Sequence, residues 1–212
     1  MLRYIYGNDL HDYPKLAESM FQDRADQFKT RLGWDVSVNA QGHERDDYDD
    51  LNPLYVIWEE SSGRHGGSMR FLPTTGPVMV NDHFSHLLGG GTLVSPLIWE
   101  CTRFCLAQGA APRVAAALML GGGEIMAGFG VRHFVGVFDA RMVRIYRMIG
   151  SSPEILGTDG EGRSKISVGL WEFAPDAKAR IAARTGLSED VSRLWFDRAF
   201  GRRERGKLAL SA

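Results

Sequence analysis

The chain reads as an α/β protein, one mixed sheet with helices on both faces. Three observations predict this. Short apolar runs rich in Val, Ile, Trp and Phe recur at 54–60, 97–107, 131–138 and 164–173, the composition of buried strands. The turn-like "SSGRHGG" joins the first run to "SMRFLPT", so an antiparallel hairpin opens the sheet. In the second half, strands alternate with segments of helical period, which calls for a βαβ crossover. The 212 residues suit one domain spanning 1–212.

The elements follow in order. Residues 12–30 form an amphipathic helix, with Leu16, Met20, Phe21, Arg24 and Phe28 at helical spacing and Asp12 as its cap. Residues 31–50 are polar and interrupted by Gly33 and Gly42. Such a long irregular segment is usually functional or disordered. The hairpin and the strand "LIWECTRFCLA" come next. "APRVAAALMLGGGEIMAGFG" is a helix opened by Pro112 and closed by Gly128 or Gly130. "VRHFVGVF" is a strand, "DARMVRIYRMIG" a short helix and "SKISVGLWEF" a strand. Helices near 175–185 and 188–199 follow, and 200–212 form a flexible basic tail. Gly121 to Gly123 are followed by no Gly-Lys-Ser/Thr. They are small residues that let a helix approach the sheet, not a phosphate loop.

Bulk properties exclude several function classes. Lys plus Arg (25) balance Asp plus Glu (26), so no global field favours nucleic acid. The N-terminus lacks the apolar core of a signal peptide, and no run is long enough to span a membrane. Cys101 and Cys105 lie four apart, and no His/Cys cluster supplies four zinc ligands. The expectation is a reduced, cytoplasmic protein with no metal and core cysteines.

Charge concentrates in "ERDDYDDLNPLY", which holds five carboxylates between Glu44 and Asp50. Charge runs are usually solvated. Here Tyr48 and Leu51 interrupt the acids, and Pro53 stiffens the exit into a strand. The spacing of Asp46 and Asp49 sets both on one face of a helical turn, where paired carboxylates suit a cationic ligand. Arg24 lies on the apolar side of its helix, and a buried guanidinium needs carboxylate partners. Phe28 and Trp34 are core residues by type, yet Trp34 stands in a polar stretch where an aromatic can wall a pocket. In "WECTRF", Glu100 and Arg103 interrupt an apolar strand, and Arg70 does the same in "SMRFLPTTGP". Such charges form a structural salt bridge or serve a cleft. Residues three apart on a regular strand point to opposite faces. If Glu100 and Arg103 serve one site, a β-bulge must intervene.

Taken together, these residues resemble the acyl-homoserine lactone synthases of bacterial quorum sensing. The resemblance rests on Arg24, Phe28 and Trp34, then "WDVSV", Asp46 and Asp49 in "RDDYDDLNPLY", Arg70 in "MRFLPTTGP", Phe84, and Glu100 and Arg103 in "WECTRF". It covers about the first 105 residues well and the rest loosely.

The resemblance implies a fold like that of the GCN5-related acetyltransferases, in which a splayed sheet holds a pantetheine arm between two strands. It implies two substrates, S-adenosylmethionine and a fatty acyl group on acyl carrier protein or coenzyme A, with no cofactor besides. It assigns S-adenosylmethionine to Arg24, Phe28, Trp34, Asp46, Asp49 and Arg70. Glu100 and Arg103 are then catalytic, Glu100 as the base, directly or through a water, while Arg24 and Arg103 keep the acidic loop docked. The acyl and pantetheine pocket falls on Phe84, Phe104, Gly136 and Phe138. Arg141, Arg144 and Arg147 are candidates to dock an acidic carrier, or form a solvated helix face. "AQGAAPRV" is at best a remnant of the acetyltransferase pyrophosphate loop, so pantetheine binding is expected to rest on strand edges. Two competing readings remain open: an acetyltransferase acting on a small amine, and a non-catalytic module that binds S-adenosylmethionine.

Overall fold

The computed structural model describes residues 1–201; the expected basic tail falls almost wholly outside the described residues. Seven strands form one sheet in the order β1-β2-β3-β4-β5-β7-β6. They are β1 (Leu2–Tyr6), β2 (Leu54–Glu59), β3 (His65–Pro73), β4 (Ile98–Leu106), β5 (His133–Asp139), β6 (Glu154–Asp159) and β7 (Ile166–Glu172). The first four pair antiparallel, β4 and β5 pair parallel, and β5, β7 and β6 are again antiparallel.

Helices cover both faces, as expected. They are α1 (Pro14–Ala25), α2 (Met79–Asp82), α3 (Pro112–Phe129), α4 (Ala140–Ile149), α5 (Pro175–Thr185) and α6 (Glu189–Phe200). Alternation along the strands decides which helix each residue meets. Leu54, Val56 and Trp58 face a core shared with Val114, Leu118 and Ile125 of α3. Tyr55 and Ile57 face Leu16, Met20 and Phe21 of α1. The expected close approach at the triple glycine is real, since a Cβ on Gly121 would lie 2.8 Å from Val56. Gly130, at φ 68°, closes α3, because the left-handed region costs glycine nothing.

Two features of β4 position the site. Its parallel ladder with β5 stops at Glu100 and Val135. Beyond that, β4 runs on beside β3 and β5 beside β7 with no pairing between them, which is the expected splay. The second feature is a β-bulge, which Glu100 and Arg103 need if they are to serve one site. Ser68 pairs with Cys105 and Arg70 with Thr102, so three steps of β4 oppose two of β3. Arg103, at φ 53°, absorbs the extra residue in a region a non-glycine residue seldom adopts.

Several boundaries differ from expectation. Helix α1 starts at Pro14 with Tyr13 at its cap position, and Asp12 instead ends a short 3-10 turn, Gly7–Asp12. Proline favours the first helical position, so it overrides the acid. After Ala25 the helix widens into a π turn, Asp26–Arg31. Strand β3 begins at His65, within the segment read as a turn. Gly67 sits there because a Cβ would lie 2.8 Å from Val114 of α3, so that glycine marks close packing rather than a bend. Strands β1 and β6 were not expected. Each is short, and "EILGTD" carries Gly157, whose Cβ would collide with the backbone of Leu87. No helix among the described residues is long and apolar enough to cross a membrane.

Candidate active site

Three arginines and three carboxylates build the frame of the site. Arg24 reaches back from α1 and donates from Nε to Glu44 at 2.6 Å and from both terminal nitrogens to Asp49 at 2.9 Å each. Arg70 on β3 donates to Asp49 at 2.8 Å and to both oxygens of Asp46. Arg103 on β4 meets Glu44 at 2.9 Å and Asp46 at 2.6 Å. Local sequence sets the geometry. Asp46 is extended and caps the 3-10 turn Asp47–Asp50, while the Asp49 carboxylate accepts from the Asp46 N–H at 2.9 Å. The two acids converge on Arg70, as their spacing required.

The formal charges of these six groups cancel. Each of these three acids is thus paired with at least one arginine. Burial alone would raise the Asp49 carboxyl, but Arg24 and Arg70 hold it well below the usual carboxylate range. Asp46 is held low in the same way, by Arg70 and Arg103 against burial. Burial would lower Arg24, and Asp49 and Glu44 outweigh it. As expected, Arg24 and Arg103 dock the acidic loop. Sequence reasoning missed that Glu44 bridges them: it reads only as the first acid of the run, though it is fully buried. The signal was present, because interior arginines need carboxylate partners.

Glu100 sits on the same side of the sheet, 1% exposed. Its carboxylate accepts from the backbone N–H groups of Met79 at 3.0 Å and Val80 at 2.6 Å. The Met79 sulfur in turn touches Arg70 and Arg103. The bulge has thus brought Glu100 and Arg103 to one side, around one methionine. Burial pushes the Glu100 carboxyl up to about 7, against the pull of the Val80 and Met79 amides.

A cavity of about 1280 Å³ opens in front of this frame. Phe28, Trp34, Asp46, Phe84, Arg103 and Phe104 line it, and it continues along β5 past Gly136 and Phe138. Phe28 is buried and stacks on the partly exposed Trp34, with ring centroids 5.1 Å apart and planes 14° from parallel. Arg24, Asp49, Arg70 and Glu100 lie behind the wall and do not line the cavity. A Cβ on Gly136 would lie 2.8 Å from the Cys101 carbonyl oxygen. Glycine there lets β4 and β5 stay close where the splay begins. Phe138 packs edge-on against Tyr146 at 5.2 Å and also meets Trp171. Cys105 is fully buried and Cys101 partly so, and burial pushes both thiols up.

The α4 arginines are divided. Arg141 lines the cavity and donates to Asp139, the cap of α4, at 3.0 Å. Arg144 and Arg147 are exposed outside the cavity.

A mixed sheet that splays between β4 and β5 beside a deep cavity is an acetyltransferase-like fold. Residues 9–180 match the autoinducer synthase family, and the chain belongs to that family. An acyl-homoserine-lactone synthase of Rhizobium etli is 39% identical over 183 residues, covering 83% of this chain and 86% of the relative. The fold matches that of BjaI, a CoA-dependent acyl-homoserine lactone synthase solved with SAM and isopentyl-CoA. The TM-score is 0.79 at 24% identity, over 88% of this chain and 90% of that one. It also matches an N-acetyltransferase fold from Lactobacillus plantarum, with a TM-score of 0.55 at 12% identity over 82% of this chain and 99% of that one.

Proposed function

We propose that this chain makes an N-acyl-homoserine lactone from S-adenosylmethionine and a fatty acyl thioester, releasing methylthioadenosine. One observation carries the reading. A single cavity joins the Phe28–Trp34 stack and Asp46 to the splay between β4 and β5, so two substrates of different chemistry can meet at Arg103 and Phe104.

The amine of S-adenosylmethionine attacks the thioester carbonyl. An amide C–N bond forms, the C–S bond breaks, and the thiol leaves with a proton. The substrate carboxylate then attacks the carbon beside the sulfonium. A ring C–O bond forms, the C–S bond breaks, and methylthioadenosine leaves as a neutral thioether. Both steps depend on holding the reacting atoms in line. The ammonium must first lose a proton. Glu100, with a carboxyl near neutrality, is matched to that task. It stands behind Met79 and outside the cavity wall, a position suited to taking the proton through a water. Trp34 and Phe28 hold the adenosyl part, and Asp46, the one member of the acid pair at the cavity, faces the ammonium. Arg24, Asp49 and Arg70 shape the site from behind.

The acyl arm lies in the splay, past Phe104 and Gly136, with its tail towards Phe138. Acyl carrier protein and coenzyme A both present this arm, and exposed Arg144 and Arg147 suit an acidic carrier. The decisive experiment incubates the purified chain with S-adenosylmethionine and octanoyl-loaded carrier or octanoyl-coenzyme A, and analyses the products by mass spectrometry. Octanoyl-homoserine lactone with stoichiometric methylthioadenosine supports the reading. Acylation of other amines alone, or binding of S-adenosylmethionine without turnover, would sink it.

A further inference from the structure

The free edge of β4 beyond the splay is already occupied by a side chain. Gln27, in the π turn after α1, donates from Nε2 to the Phe104 carbonyl at 2.8 Å. Its Oε1 accepts from the Leu106 N–H at 2.9 Å. These two groups bracket Cys105, which is in register with Ser68 on the opposite side. A residue of a parallel neighbour strand bonds in this way, its N–H to one carbonyl and its carbonyl to the N–H two residues on. The parallel neighbour, β5, last pairs with β4 at Glu100. One carboxamide therefore stands where a missing strand residue would stand, and it lies in the cavity wall.

Unpaired edge groups are a template for any extended amide-bearing ligand. The arm of the proposed thioester donor contains two amides and enters this splay. We infer that Gln27 is a placeholder for that arm: its carboxamide holds the Phe104 and Leu106 edge groups in the free enzyme and yields them to an amide of the donor. This rests on the thioester reading above. The exchange conserves hydrogen bonds, since two are broken and two are made. Gln27 is thus a positioning residue that sets the affinity for the donor while it keeps the edge groups of the cleft hydrogen-bonded and in register between turnovers.

Gln27→Leu fills similar volume and cannot hold the edge. It should lower KM for octanoyl-coenzyme A by roughly threefold to tenfold, the worth of about one net hydrogen bond. KM for S-adenosylmethionine should stay within about twofold. Gln27→Glu keeps the acceptor for Leu106 but loses the donor to Phe104, and should give an intermediate donor KM. In the wild-type enzyme, the Gln27 carboxamide resonances should move to solvent-like values on saturation with octanoyl-coenzyme A. Unmoved resonances, or a donor KM unchanged or raised in both variants, would make Gln27 a fixed pin and overturn the exchange. If neither octanoyl-coenzyme A nor octanoyl-loaded carrier binds the wild-type chain in calorimetry, the thioester reading fails first. Equal binding to wild type and variants overturns the Gln27 exchange alone.

Discussion

Arg24 and Asp49 face each other through two parallel N–H···O bonds of 2.9 Å, with both side chains withdrawn from solvent. The bidentate geometry is the strong form of a charged hydrogen bond. Asp49 also accepts from Tyr55 at 2.5 Å and from Arg70 at 2.8 Å.

Asp49→Asn should therefore act on stability before it acts on catalysis. It leaves two buried guanidinium groups underpaired, at a cost of about 3–5 kcal/mol, read as a lower urea midpoint. The sign with pH follows from the depressed carboxyl. Its contribution is complete above the ordinary value of 3.8 and is lost as pH falls below it. The wild type should lose stability on acidification through that range, and the variant should lose less. Asp46→Asn should differ. Asp46 reaches the cavity, so KM for S-adenosylmethionine should rise about tenfold while donor KM holds. Equal loss for both substrates in steady-state kinetics would reduce Asp46 to a fold-holding residue.

Glu100→Gln should lower turnover at least about tenfold. The wild-type rate should climb through about pH 7 as the carboxyl ionises, and the variant should lack that limb. Stability runs the other way. A carboxyl raised by burial contributes fully below its ordinary 4.5 and loses that contribution as pH rises to about 7. Full turnover in the purified variant would remove Glu100 from the chemistry.

Arg144→Glu combined with Arg147→Glu should raise KM for octanoyl-loaded acyl carrier protein and flatten its salt dependence. Octanoyl-coenzyme A, which has no acidic protein surface, should be little affected. Arg141 is left intact because it braces the cap of α4 through Asp139. An unchanged carrier KM would leave these residues as ordinary surface.

Phe138→Thr should shift preference towards a 3-oxo acyl donor. Phe138 is 5% exposed among Tyr146 and Trp171 and offers no hydrogen-bond donor. An unpaired carbonyl buried there costs about 1–3 kcal/mol, which disfavours the 3-oxo chain roughly five- to a hundredfold. Direct competition between matched 3-oxo and unsubstituted donors checks this, and a wild-type preference for the 3-oxo donor would end the idea.

Much of this site was legible before the fold was known, and the reason is charge. Arginines in apolar stretches demand partners, so Arg24 called for carboxylates, and Arg70 and Arg103 for a salt bridge or a cleft. Glu100 and Arg103, three apart, can share one side of the strand only across a bulge, and β4 carries one. Less legible was which face of each group meets the ligand. Asp46 and Asp49 are equivalent by spacing, yet one reaches the cavity and the other is sealed behind it, because Tyr55 and Arg24 close over Asp49 alone. Gln27 gave no signal, since a polar residue on an amphipathic helix reads as surface. Strands β1 and β6 escaped notice because five or six residues of mixed polarity gain their identity from the neighbour they pair with.

The bulge at Arg103 makes β4 two strands spliced out of phase. Trp99 and Cys101 point into the α3 core ahead of it, and Phe104 and Leu106 do so after it, an odd register giving way to an even one. Deleting one residue there would be far worse than substituting any: it would turn the downstream apolar residues outward while each residue stayed chemically ordinary. Anyone grafting this catalytic wall onto another sheet has to transplant the extra residue as a unit with the charges around it, because the frame shift is what lets a buried acid and a cavity-lining arginine occupy the same side of one strand.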